Sequence, residues 1–74
     1  MPPHNTEAEE SVLGALMMDK EAITKIADIL KPEDFYNEQN GEIFEIILEL
    51  YEEQQPLDIL SVSSRMKDKG ILKG

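Results

Sequence analysis

Cysteine and tryptophan are absent from these 74 residues, and there are only one histidine, two tyrosines and two phenylalanines. Without cysteine there is neither a disulfide staple nor a thiolate metal site. A single histidine cannot build a histidine-rich metal site, and no His-Glu-x-x-His stretch occurs. His4 lies in a proline-flanked arm, Met1-Pro2-Pro3-His4-Asn5, where a solvated side chain is expected. No Gly-x-x-x-x-Gly-Lys-Ser/Thr stretch is present to cradle a phosphate. No run of carboxylates has the calcium-loop pattern with its central glycine. A chain this short has little interior in which to tune a catalytic acid. The expectation is therefore no catalytic residue, no cofactor and no metal.

Long apolar runs are missing too. No window approaches the roughly 18 apolar residues of a membrane span. The N-terminus is polar and acidic (Glu7, Glu9, Glu10) where a signal peptide would be basic and then apolar. A cytoplasmic location, with no membrane partner, is expected. Basic residues are scarce, seven against sixteen acidic, for a net charge of −9. Affinity for DNA or RNA rests mainly on lysine and arginine neutralising phosphates. This balance opposes direct nucleic-acid binding and favours a basic protein partner.

What is present is helical periodicity in a single domain spanning residues 1–74. Thr6 and Glu9 have capping-box spacing, opening a helix over about Glu7 to Met18 that carries Ala8, Val12, Leu13, Leu16 and Met17. Gly14 inside it predicts a close approach by a neighbouring backbone. Asp19 caps a second helix, Lys20 to Leu30, with Met18 and Ile23 as a hydrophobic staple. Lys31-Pro32 stops it, and Pro32 to Tyr36 reads as a turn whose Phe35 plugs the core while Tyr36 stays at its boundary. Asn37 caps a third helix, about Glu38 to Gln54. Its Ile43, Ile46, Ile47 and Leu50 form one stripe, and Phe44, Leu48 and Tyr51 a second beside it. Asp58 caps a fourth helix, roughly Ile59 to Lys69, with Leu57 and Val62 as a staple. Ile59, Val62 and Met66 are expected to face inward, and Gly70 to close the helix as a Schellman glycine. The predicted fold is all-α, a small orthogonal bundle of about four helices. An acyl carrier protein is rejected, because Asp58 is followed by Ile59 and Leu60 and not by the attachment serine.

The third helix carries Glu38, Glu42, Glu45, Glu49 and Glu52 along one side, and no lysine or arginine occurs from Pro32 to Ser64. The strip is either an ordinary solvated face or a docking site for a basic partner. Reversing Glu45 and Glu49 to lysine is expected to stabilise the helix in both cases. Arg65, Lys67, Lys69 and Lys73 are expected to complement the fourth helix's C-terminus and stay solvated. The interface candidates are Glu42, Glu45, Glu49 and Glu52, together with Ile71 and Leu72. If left exposed, those last two would form an apolar patch supporting at most a weak dimer.

Pro2-Pro3, Glu7-Ala8-Glu9, Ser11-Val12-Leu13-Gly14, Asp34-Phe35-Tyr36, Ile43-Phe44, and Pro56-Leu57-Asp58 ahead of a helix ending at Gly70 together resemble one family. It is the N-terminal domain of bacterial replicative DNA helicases (DnaB-type), and the resemblance covers essentially the whole chain. It implies a non-catalytic helical collar on a hexameric, ATP-driven helicase. The collar would help assemble the subunits into a ring and dock primase and the helicase loader. ATP, Mg and the DNA-binding loops would belong to a later domain, so this chain by itself would be no enzyme. The family's domain continues past Gly74 with more helices, so this is its front part. The alternative is a stand-alone acidic adaptor or an inhibitor that mimics nucleic-acid charge.

Overall fold

A computed structural model of the chain describes residues 6–71. In chain order it contains α1 (Thr6–Met18), α2 (Lys20–Ile26), a single 3-10 turn (Pro32–Asp34), α3 (Glu38–Glu52) and α4 (Ile59–Asp68). No strand occurs among the described residues. Three of the four helix starts are secured by the capping residues expected. The side chain of Asp19 accepts from the Glu21 N–H, Asn37 from the Asn40 N–H, and Asp58 from the Ser61 N–H. Leu72 falls outside the described residues, as do His4 and Lys73.

The helix ends depart from expectation for local reasons. α2 stops at Ile26 rather than Leu30, because the N–H groups of Ile29 and Leu30 both turn back to the Ile26 carbonyl. Lys31 is extended (φ −125°, ψ 158°), as a residue before proline must be. α3 stops at Glu52 rather than Gln54: Gln54 is left-handed at φ 61°, and the Gln55 N–H closes onto the Leu50 carbonyl. Gly70 ends α4 as predicted, at φ 75°, with the Ile71 N–H bonded to the Met66 carbonyl.

α3 is the hub. Phe44, Ile46 and Ile47 are fully buried on it, and Leu50 nearly so. α1 contributes Leu13 and Leu16, α2 contributes Ile23, and α4 contributes Val62 and Met66. Phe35 plugs the core as expected, its ring 5.1 Å from that of Phe44 at an interplanar angle of 36°. Each such side chain withdrawn from water contributes about 1.5–3 kcal/mol. Tyr51 lies at the margin of the second stripe and is partly exposed. Two inward assignments are corrected. Met18 is 89% exposed and forms no staple, and Ile59 is 63% exposed. Leu57, entering α4 just ahead of the Asp58 cap, is buried in its place.

The close backbone approach expected at Gly14 is found instead at Gly41. A Cβ at Gly41 would lie 2.7 Å from the Pro32 carbonyl oxygen, so only glycine lets the 3-10 turn seat on α3. At Gly14 an added Cβ meets nothing within 4 Å. The same substitution should therefore have opposite signs at the two sites. Gly41→Ala should destabilise by about 1–3 kcal/mol through overpacking. Gly14→Ala should stabilise by roughly 0.5–1 kcal/mol through helix propensity. Urea unfolding of both variants measures this, and a common sign would contradict the packing described.

Candidate functional site

Glu9 is on α1 four residues before Leu13 and seven before Leu16, on the stripe that faces the core. It is 1% exposed. Its carboxylate does not close a capping box with Thr6. It reaches across to the start of α3, where Oε2 accepts from the Tyr36 N–H at 2.6 Å. Oε1 accepts from the Asn37 N–H at 3.3 Å and from Asn40 Nδ2 at 3.1 Å. Asn40 is itself 5% exposed, and its N–H is held by the Asn37 side chain. The acceptor thus lies at the positive end of the α3 dipole, on the N–H groups of the two residues that lead into the helix. Burial acts most strongly on this carboxyl and opposes its charge. The bonds from Asn40, Tyr36 and Asn37 together outweigh burial and hold the carboxyl below its ordinary value of 4.5.

The outer side of α3 is acidic, as expected, but divided. Glu38, Glu42 and Glu45, with Glu33 from the 3-10 turn, border a groove of about 370 Å³ floored by Phe35, Pro32 and Gly41. Glu38, Glu42, Glu45 and Glu52 are exposed and make no ion pair among the described residues. Glu49 is turned towards α4. It pairs with Arg65 at 3.1 Å and with Lys69, while Arg65 also reaches Glu53 at 2.7 Å. The Lys69 bond, with Arg65 adding to it against burial, keeps the Glu49 carboxyl below its usual range. Arg65 is held firmly protonated, chiefly by Glu53.

These pairs correct two expectations. Arg65 and Lys69 are not simply solvated at a helix end, because their charges are spent on α3. Glu49→Lys would break both pairs and destabilise the α3–α4 contact, so of these two glutamates Glu45 alone remains a place where charge reversal leaves the packing untouched. Of the two apolar candidates, Ile71 is half-buried against the core rather than exposed, and Leu72 lies outside the described residues. Among the described residues no group of three or more histidines, aspartates and glutamates is arranged to hold a metal. No helix there is long and apolar enough to cross a membrane.

Among the described residues the arrangement is one of surfaces on a helical domain rather than of converging reactive groups. Residues 1–74 match the model of the DnaB-like helicase N-terminal domain, and the chain belongs to that family. It is 39% identical over 72 residues to the replicative DNA helicase DnaB of a Nostoc species, covering 97% of this chain and 8% of that protein. Over 68 residues it is 43% identical to the Synechocystis counterpart, covering 92% of this chain and 8% of that protein. The replicative DNA helicase DnaC of Bacillus subtilis is 34% identical over 73 residues, 16% of its length. The crystal structure of the N-terminal domain of DnaB helicase from Mycobacterium tuberculosis superposes with a TM-score of 0.88 at 35% identity. That match covers 97% of this chain and 50% of that one. The chain thus corresponds to a small front-end share of proteins named as replicative helicases.

Glu9 yields the prediction. Its folded carboxyl titrates below 4.5, so as pH falls the unfolded chain takes up the proton first. The stabilisation is whole above that value and is lost as pH drops through the folded one. Glu9→Gln cannot titrate and presents an amide donor to N–H groups that need an acceptor. It should lower Tm by roughly 10 °C at neutral pH. The difference from the parent chain should shrink below pH 4.5. Thermal melts across that range check this, and a pH-independent difference would contradict it.

Proposed function

We propose that this chain is a non-catalytic assembly and docking domain of a replicative DNA helicase. On this reading it contributes to the collar of a hexameric ring and receives primase and the helicase loader. Nucleotide, Mg and DNA contacts belong to the rest of a longer protein. Family membership supports the setting. The observation that carries the docking role is the outer side of α3, where Glu38, Glu42 and Glu45 border an open groove without any pairing cation among the described residues. A basic partner would relieve the mutual repulsion of these glutamates as it binds.

Glu42→Lys combined with Glu45→Lys is the appropriate variant, since neither residue holds the fold together. Titration calorimetry against purified primase should show binding weakened by about tenfold or more, with a steeper effect at low salt. Unchanged affinity, with the melting curve intact, would overturn the assignment of the docking face.

A further inference from the structure

We infer that Asn40–Gly41 is a spontaneous modification site, closed in the folded domain and opened by unfolding, where conversion of the Asn40 amide to an acid makes unfolding irreversible. Asparagine is among the thermolabile residues. Its side chain is attacked by the backbone nitrogen of the residue that follows, and a glycine there puts no side chain in the way. The chain has three asparagines, and only Asn40 precedes a glycine.

The fold requires both members of the pair, for unrelated reasons. Gly41 can carry no Cβ, because the Pro32 carbonyl oxygen would lie 2.7 Å from it. Asn40 supplies an uncharged donor to the buried Glu9 carboxylate, Nδ2 to Oε1 at 3.1 Å, and is itself 5% exposed. A close backbone approach and a buried polar contact thus place the most reactive asparagine dipeptide at the start of α3.

The reaction balances with water alone. The Gly41 nitrogen gives up its proton and bonds to Asn40 Cγ, the Cγ–Nδ2 bond breaks, and ammonia leaves with that proton. Water then opens the five-membered imide at either carbonyl. One opening leaves an aspartate, the other an isoaspartate whose main chain runs through the side-chain carbon. Nothing is oxidised or reduced.

The folded domain blocks the first step in three ways. The Gly41 N–H is held by the Asn37 carbonyl at 3.0 Å. Helical torsions at Asn40 are not those that bring the next nitrogen onto Cγ. The Asn40 side chain is fixed by Glu9 and shut away from water. Unfolding removes all three together. Either product then sets a second carboxylate against Glu9 in a buried site, where two like charges are strongly disfavoured. Isoaspartate also adds a main-chain atom within the first turn of α3 and breaks its hydrogen-bond register. A chain that stays unfolded long enough to react therefore does not regain this structure.

The test is peptide mapping by mass spectrometry of the 74-residue chain at neutral pH, in buffer and across a urea series, with isoaspartate determined separately. Conversion at Asn40 should be about a hundredfold or more faster in full denaturant than in buffer, and should rise in step with the unfolded fraction between them. Asn5 and Asn37 should change far less. Gly41→Ala should slow conversion in full denaturant, where its effect on the fold plays no part. Asn40→Asp, one product made directly, should lower Tm by roughly 10 °C at neutral pH. Adding Glu9→Gln should restore part of that loss, because an amide replaces one of the two facing charges. Equal rates in buffer and urea, or an unreactive Asn40 in urea, would overturn the inference. So would an Asn40→Asp chain that melts with the parent or gains nothing from Glu9→Gln.

Discussion

One buried carboxylate organises this small domain. Glu9 leaves the apolar side of α1 and terminates on the N–H groups of Tyr36 and Asn37 and on the Asn40 side chain. A buried charge without a cation is ordinarily expensive. Here three donors and the α3 dipole take the place of the cation. No buried side-chain nitrogen or oxygen among the described residues lacks a partner. The contact spans residues 27 to 31 apart in sequence and joins the first helix to the hub helix. It also positions Phe35, next to Tyr36, against Phe44. With no disulfide available, this polar lock adds a directional constraint that apolar packing alone does not supply.

Charge is arranged on the same principle of local use. The few cations of α4 are drawn onto the C-terminal half of α3, where Arg65 joins Glu49 and Glu53 and Lys69 joins Glu49. Partly exposed pairs of this kind contribute modestly to stability. Their larger effect is to leave the first half of α3 uniformly negative. The contrast between a neutralised half and a bare half is what turns an acidic helix into a surface with direction.

The four helices and most of the core are legible in the sequence because caps and periodicity are local. Asp19, Asn37 and Asp58 cap their helices as spacing dictates, and Phe35 fills the core as an aromatic beside a proline turn should. What local rules cannot reach is pairing across the chain. Glu9 has capping-box spacing to Thr6, yet its place on the stripe with Leu13 and Leu16 marked it as inward-facing. The matching four-residue spacings of Glu49 with Glu53 and of Arg65 with Lys69 hinted at a ladder between helices. Nothing local separates Gly14 from Gly41; only the position of Pro32 in three dimensions does.

The direct test of the central claim is amide hydrogen exchange at Tyr36 and Asn37. Both N–H groups lie ahead of the first turn of α3, where exchange is ordinarily fast. If the Glu9 carboxylate holds them, they exchange as slowly as the buried amides of α3, and Glu9→Ala releases them selectively. Rapid exchange of these two amides in the unaltered chain would contradict the account.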